Sequence, residues 1–389
     1  MQFASRVHRT VSEGAPAWGV HAQARKMMGQ GKDVILLTIG DPDFDTSDEI
    51  IDVTVKSLRS GRTHYTPLMG EEPFRRAIAQ YHSDFTGQPV DAENVIAVVG
   101  AQCGLYAASM CILNPGDQVI VLDPTYSTYA YFLGAAGAET VYVSLRPERN
   151  FQVDPDDVAN AITQRTKAIL LNTPHNPTGA MVHRAEMDAL ASLCQQHDLW
   201  MITDEVYGPI AFEQPHISAG SLANMAERTV TISSLSKSHA MTGWRIGWAV
   251  GPQELIKHIG NLFAGMLFGA PPFIQDAATH ALTARLDEAT IMRNTYKARR
   301  DLVFEHLQEA PKVSCHLPEG GMYMMLDIRE TGMNATDFGY KLLDKEKVAL
   351  LPGDAFGPGG AGHMRLSLTL PEEKLIEACE RTVRFAQSV

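Results

Sequence analysis

A chain of 389 residues is too long for one ordinary hydrophobic core and implies either two domains or one large α/β unit. Hydrophobic residues make up 45% and charged residues 20%, the balance of a soluble globular protein. A formal net charge of −12, with no run of Lys and Arg, argues against a nucleic-acid binder.

The scattered cysteines (Cys103, Cys111, Cys194, Cys315 and Cys379) never fall in CxxC spacing. That fits reduced thiols rather than a disulfide frame or a zinc site, and no metal site is expected. The N-terminal stretch lacks the apolar core of a signal peptide, and no apolar run approaches the length of a membrane span. The expected location is therefore the cytoplasm, with no membrane partner, and the sequon "NAT" at Asn334 carries no meaning there.

In chain order, short β-rich runs alternate with helical patterns from about residue 95 to 250. The runs at 94–99, 118–122, 140–145, 167–171, 199–203, 228–233 and 245–250 read as strands. Most are almost wholly apolar and β-branched, as in strands covered on both faces. Between two of them, "HRAEMDALASLCQQHD" (183–198) reads as a helix with Met187, Leu190 and Leu193 at three-residue steps. "NPGD" at 114–117 is a turn. The alternation predicts a mainly parallel seven-stranded sheet with helices on both faces. After about residue 285 the pattern changes to a long charged helix (286–310), "GGMYMMLDI", another helix and the strand-like "HMRLSLT". This reads as a smaller α+β domain joined by the N-terminal arm. The expected division is a large domain over 50–285, with 1–49 and 286–389 forming the arm and small domain.

Few of the familiar nucleotide motifs survive inspection. "GPGGAG" (357–362) satisfies GxGxxG but precedes a strand instead of opening a helix after one, so its context is wrong for a dinucleotide. There is no GxxxxGK[ST] and no HExxH. "GAQCGLYAASMCIL" begins directly after a strand, which places Gly100, Ala101 and Gln102 at a helix N-terminus suited to an anion. "NTPHNPTGA" (172–180) and "TDEVYGPI" (203–210) also follow strands, at the rim where parallel sheets hold ligands. Asn176, Asp204 and Tyr207 thus share that rim with Lys237 of "SLSKSHAMTGWRIGW" (234–248). Each alone is better read as a cap or turn residue, and the Lys237 stretch alone reads equally well as a loop lysine reaching solvent. Together, an amine for a Schiff base, a carboxylate for a ring nitrogen and an anion site describe a pocket for pyridoxal phosphate.

In this order and spacing, "NPTG", "DEVY" and "SLSK…GWRIGW" resemble class I/II aminotransferases, which have the aspartate aminotransferase fold of type I pyridoxal-phosphate-dependent transferases. The resemblance runs from "IGDPDFDT" (39–46) to "HMRLSLT" (363–369). It implies that Lys237 binds the cofactor covalently and carries the proton at the substrate α-carbon, that Asp204 pairs with the ring nitrogen, and that Tyr207 and Asn176 bond the ring's 3′-oxygen. Tyr126, in "DPTYSTY", would stack on the ring, though it also reads as a packed core tyrosine. The phosphate would fall to Ser234, Ser236, Arg245 and the backbone of Ala101 and Gln102. Tyr65 would serve the phosphate of a partner subunit, making the protein a homodimer with shared sites. Arg365, otherwise a lone strand arginine, would bind the substrate α-carboxylate, with Asn176 and the backbone of Gly40 lining that site.

Two departures from the family pattern stand out. Ser47 replaces a usual proline, which implies a local loop change only. Gln102 stands where several aspartate aminotransferases carry a lysine for the distal carboxylate, which weakens a dicarboxylate reading. "GDPDFDT", "GAQCGLY", "HDLWMITDEVY" and "SLSKSHAMTGWR" are closer to the arginine–pyruvate transaminase group. The expected activity is therefore ping-pong transfer of an amino group from an L-amino acid, arginine or another non-dicarboxylic donor, to a 2-oxo acid such as pyruvate. The alternatives are an aspartate/2-oxoglutarate enzyme, a β-lyase or an acyl-transferring synthase on the same fold. A cofactor-binding regulator would need an added DNA-binding segment and a different charge.

Overall fold

The computed structural model describes residues 2–10, 14–284 and 286–389. In chain order the strands are β1 (Ile35–Leu36), β2 (Val95–Val98), β3 (Gln118–Asp123), β4 (Glu139–Ser144), β5 (Thr166–Asn172), β6 (Trp200–Asp204), β7 (Thr229–Ser234) and β8 (Gly247–Val250). They continue with β9 (Ser314–Cys315), β10 (Tyr323–Asp327), β11 (Val348–Ala349), β12 (Leu351–Pro352) and β13 (His363–Ser367). The seven strands expected between residues 94 and 250 form one sheet in the order β2-β8-β7-β6-β5-β3-β4. From β7 through β4 every pairing is parallel, and β8 runs antiparallel to both its neighbours.

The apolar strands are buried on both faces because alternate side chains enter different layers. Val119 and Val121 pack with the helices Ala101–Ile112 and Gln253–Met266, whereas Ile120 and Leu122 pack with the helix Arg184–Gln196. Edge strand β4 departs from this, with Glu139 and Ser144 exposed. The Arg184–Gln196 helix also departs from the simple three-step pattern. It buries Met187, Leu190, Ala191 and Cys194, while Leu193 is only half-buried. A 3.6-residue turn carries a strict three-step run off the core face.

The C-terminal part builds an antiparallel sheet, β12-β13-β10-β9, against the helices Glu288–Leu307, Ala335–Glu346 and Glu372–Gln387. β1 joins β11 in a parallel pair, so the chain entering from the N-terminus is sewn to this C-terminal part. "GPGGAG" forms a short 3₁₀ turn (Pro358–Gly360) ahead of β13 and opens no α-helix. Ser47 is the N-cap residue of the helix Asp48–Arg59, but its hydroxyl caps nothing.

The segment after β1 is anchored by a buried ion pair. Asp43 accepts both Arg299 Nη atoms at 2.7 and 2.8 Å, and the Arg299 side chain is 7% exposed. Arg299 also lies within 6 Å of the Phe44 and Tyr296 ring centres. Replacing Arg299 with Ala leaves the carboxylate without its partner. It should cost about 3 kcal/mol, read as a lower midpoint in urea unfolding.

Candidate active site

The C-terminal ends of β5, β6 and β7 open into a cavity of about 470 Å³. At one end stands the N-terminus of the helix Ala101–Ile112, whose free N–H groups make an anion-binding end. Gly100 precedes it with φ +77°, and a Cβ there would also run into Arg245 Nη2. Glycine is needed on both grounds. Arg245 itself sits in the left-handed region at φ +55°, its Nη1 donating to the Thr242 carbonyl at 2.7 Å. Ser234 ends β7, and its Oγ accepts the Ser236 N–H at 3.3 Å. Ala101, Gln102, Ser234, Ser236 and Arg245 all line the cavity.

The middle of the cavity holds Asp204, the last residue of β6, which is only 5% exposed. Burial pushes its carboxyl up to about 6, opposed by the Tyr129 hydroxyl, which donates to Oδ2 at 2.7 Å. Asn172, at the end of β5, donates through Nδ2 to the Asp204 carbonyl at 2.8 Å and accepts the Asn176 N–H through Oδ1 at 2.8 Å. One amide thus holds two strand-end loops together. The Tyr207 hydroxyl lies 3.3 Å from that of Tyr323, and burial drives the Tyr207 pKa well above 10, so it stays a phenol. Tyr126 is half-buried: it packs edge-on to Tyr129 at 5.6 Å and also lines the cavity.

At the other end Lys237 Nζ donates to the Gly40 carbonyl at 2.6 Å. Arg365, on β13, is 2% exposed. Its Cζ lies 4.1 Å from the Tyr323 ring centre and 4.6 Å from that of Phe356. Nη1 donates to Asn176 Oδ1 at 3.0 Å and Nη2 to the Thr38 carbonyl at 2.7 Å, while the buried Nε has no partner. Four consecutive carbonyls are engaged along this wall. Leu37 takes the Ser367 N–H, Thr38 takes Arg365, Ile39 takes the Thr369 hydroxyl and Gly40 takes Lys237.

Every residue expected in the site lines this cavity except Tyr65. Tyr65 is 86% exposed and packs edge-to-face on Phe268 elsewhere on the surface. Sequence reading missed Tyr129, Tyr323, Asn172 and Trp18, which also line the cavity. Tyr129 opens the helix Tyr129–Ala136, and nothing local marked it for the site. Trp18 carried no local signal. The Tyr129 hydroxyl holds the Asp204 carboxyl pKa down, so Tyr129→Phe should raise it. In cofactor-free protein, the infrared carboxyl band assigned by its loss in Asp204→Asn should titrate at higher pH in Tyr129→Phe.

Comparisons with known proteins give the family. Residues 32–381 match the family model for aminotransferase class I and II. The chain is 50% identical to the arginine–pyruvate transaminase AruH of Pseudomonas aeruginosa, covering 98% of this chain and 97% of that protein. It is 36% identical to an aspartate aminotransferase of Pyrococcus horikoshii, covering 90% of each. Among solved structures, the aspartate aminotransferase of Thermus thermophilus with maleate superposes with a TM-score of 0.93 at 35% identity, covering 99% of both chains. A family match over nearly the whole chain and a cavity built from the family's motif residues lead to one conclusion: this protein belongs to the class I and II aminotransferases, a pyridoxal-phosphate-dependent family.

Proposed function

We propose that the cavity holds pyridoxal 5′-phosphate and that the enzyme moves an amino group from a non-dicarboxylic L-amino acid, arginine among them, to pyruvate in a ping-pong cycle. The observation that carries this is the meeting in one cavity of a lysine amine, a buried carboxylate, an anion-binding end and a buried arginine. The donor set fits the cofactor. Gly100 leaves room for the Arg245 guanidinium beside a helix N-terminus and two serine hydroxyls, which is phosphate-binding chemistry. Asp204, raised to about 6, suits an acceptor for a protonated ring nitrogen.

When bound, the cofactor supplies an aldehyde for the lysine and an electron-withdrawing ring that stabilises charge at the substrate α-carbon. Lys237 Nζ would hold the cofactor and carry the proton to and from the substrate α-carbon. Asp204 keeps the ring nitrogen protonated. Tyr207 and the Asn176 amide would hold the ring's 3′-oxygen, and Tyr126 would pack against the ring. Arg365 takes the substrate α-carboxylate with donors it does not spend on Asn176 and Thr38, helped by the backbone at Gly40.

The donor and acceptor rest on the arginine–pyruvate relative and on Gln102. That residue presents a neutral amide bonded to the Thr128 hydroxyl at 3.0 Å. The cationic side chains lining the cavity, among the described residues, are Lys237, Arg245 and Arg365. Each already has a part in this reading, which leaves none of the described cavity-lining residues for a distal carboxylate. The aspartate aminotransferase relatives favour aspartate with 2-oxoglutarate as the second reading. A panel of amino donors, each paired with pyruvate and with 2-oxoglutarate, decides. Arginine with pyruvate should lead, and aspartate with 2-oxoglutarate leading would overturn the substrate assignment. Lys237→Ala should remove transamination in every pairing.

The same reading includes a large domain over 50–285, an arm and small domain over 1–49 and 286–389, and a cytoplasmic enzyme. None of the helices in the described residues is long and apolar enough to cross a membrane. It also includes a two-fold homodimer in which Tyr65, exposed and outside its own cavity, serves the partner's phosphate. Mixing Lys237→Ala with Tyr65→Ala subunits should restore activity above that of either parent, because one site of each hybrid is then whole. Hybrids that form without recovery would count against a shared site.

A further inference from the structure

"GPGGAG" has no nucleotide to hold, yet its glycines are packed for a purpose. Gly357 has φ +104°, and a Cβ there would run into Asp123 Oδ1. A Cβ on Gly359 would meet the Asp123 main-chain carbonyl, 2.7 Å away. Asp123 is the last residue of β3 and is 2% exposed. Its Oδ2 accepts the Gly359 N–H at 2.7 Å, and Oδ1 is buried without a hydrogen bond. Beside it the Thr125 N–H donates to the Phe356 carbonyl at 2.7 Å. The loop before β13 is therefore pinned to the loop after β3 at two points. Phe356, whose carbonyl is one of those points, is 1% exposed with its ring against the Arg365 guanidinium.

We propose that Asp123 is a positioning residue for recognition of the substrate α-carboxylate, acting through Gly359 and Phe356 to fix the guanidinium of Arg365. This rests on the reading that Arg365 binds that carboxylate. A buried carboxylate is a costly way to hold one amide, since burial pushes Asp123 up to about 6 against the help of the Gly359 N–H. A surface turn would not need it. At this position the cost secures a loop whose ring forms one face of the Arg365 slot, with Tyr323 as the other. The Asp123 loop also leads within three residues to Tyr126, so one clamp sets the carboxylate site relative to the ring-stacking tyrosine.

The test compares Asp123→Ala, Asp123→Asn and Arg365→Lys in the cofactor-loaded enzyme. The readouts are KM for donor and acceptor, kcat, the cofactor absorbance spectrum, and the inhibition constant of propionate, an unreactive monocarboxylate. Asp123→Ala leaves the Gly359 N–H unpaired and should raise both KM values and the propionate constant about tenfold. kcat should change less than about threefold and the spectrum should not move. Asp123→Asn keeps an acceptor oxygen and should restore KM and the propionate constant to within about threefold of the parent. Should Asp123→Ala fail to fold, Phe356→Leu is read in its place, with the same split expected. Unchanged KM in Asp123→Ala, a loss mainly in kcat, or an Asn variant as weak as Ala would overturn the proposal. If Arg365→Lys also leaves KM and the propionate constant unchanged, the carboxylate assignment itself fails. If only Arg365→Lys raises them, that assignment stands and the Asp123 proposal alone falls.

Discussion

A carboxylate buried at the end of a central strand is the constraint around which the site is arranged. Asp204 pays for its position with a carboxyl held near 6, and the neighbourhood limits the cost to that. Tyr129 donates to the side chain, and Asn172 fixes the backbone by bonding its carbonyl. Strand alternation then forces the next acid, Glu205, away from Asp204. Glu205 is 3% exposed and accepts from Thr203, Ser218 and His216 at 2.9, 2.9 and 2.8 Å. Two neighbouring acids are thus buried, and only one is left with capacity for a ligand. The three bonds on the Glu205 carboxylate fix that side chain, while the buried Nδ1 of His216 at the edge of the network has no partner.

Rigidity at the middle of the cavity has a counterpart at its ends. The anion-binding end is made of the backbone at Ala101 and Gln102, two serines and Arg245, all following strands of the large sheet or next to it, whereas Arg365 comes from the smaller one. The segment between β1 and Asp43 spans the two. It pairs with β11 and β13, reaches Lys237, and is held by Arg299. Residues remote in sequence are thereby brought to one cavity and held there, as positioning catalysis requires.

The parts of this arrangement visible in the sequence are those produced by local rules. Apolar β-branched runs identified the strands of the large sheet, and polar loops after them identified Asn176, Asp204 and Lys237. Tyr129 was not visible, since its partner is 75 residues away and a helical tyrosine carries no mark of what it will touch. The Thr38 carbonyl meets Arg365 across 327 residues, a contact that only the crossing of two sheets creates. Leu193 erred for a different reason: its spacing fitted a three-step count, and helical geometry turned it aside in favour of Cys194. Tyr65 was identified from family likeness alone, and nothing in its own chain gives it a partner in the cavity.

The run of engaged carbonyls from Leu37 to Gly40 limits how this enzyme can change. Each successive residue there serves a different partner, so inserting or deleting one residue would hand Arg365 and Lys237 the wrong oxygen. Side chains along the run are held as well: Leu37 and Thr38 are wholly buried, the Thr38 hydroxyl lies 2.7 Å from His21 Nδ1, and a Cβ on Gly40 would run into the Tyr323 hydroxyl. Descendants of this sequence that acquire new substrates should therefore keep the length of this stretch and the glycine at Gly40 unchanged, with gains and losses of residues confined to loops beyond it.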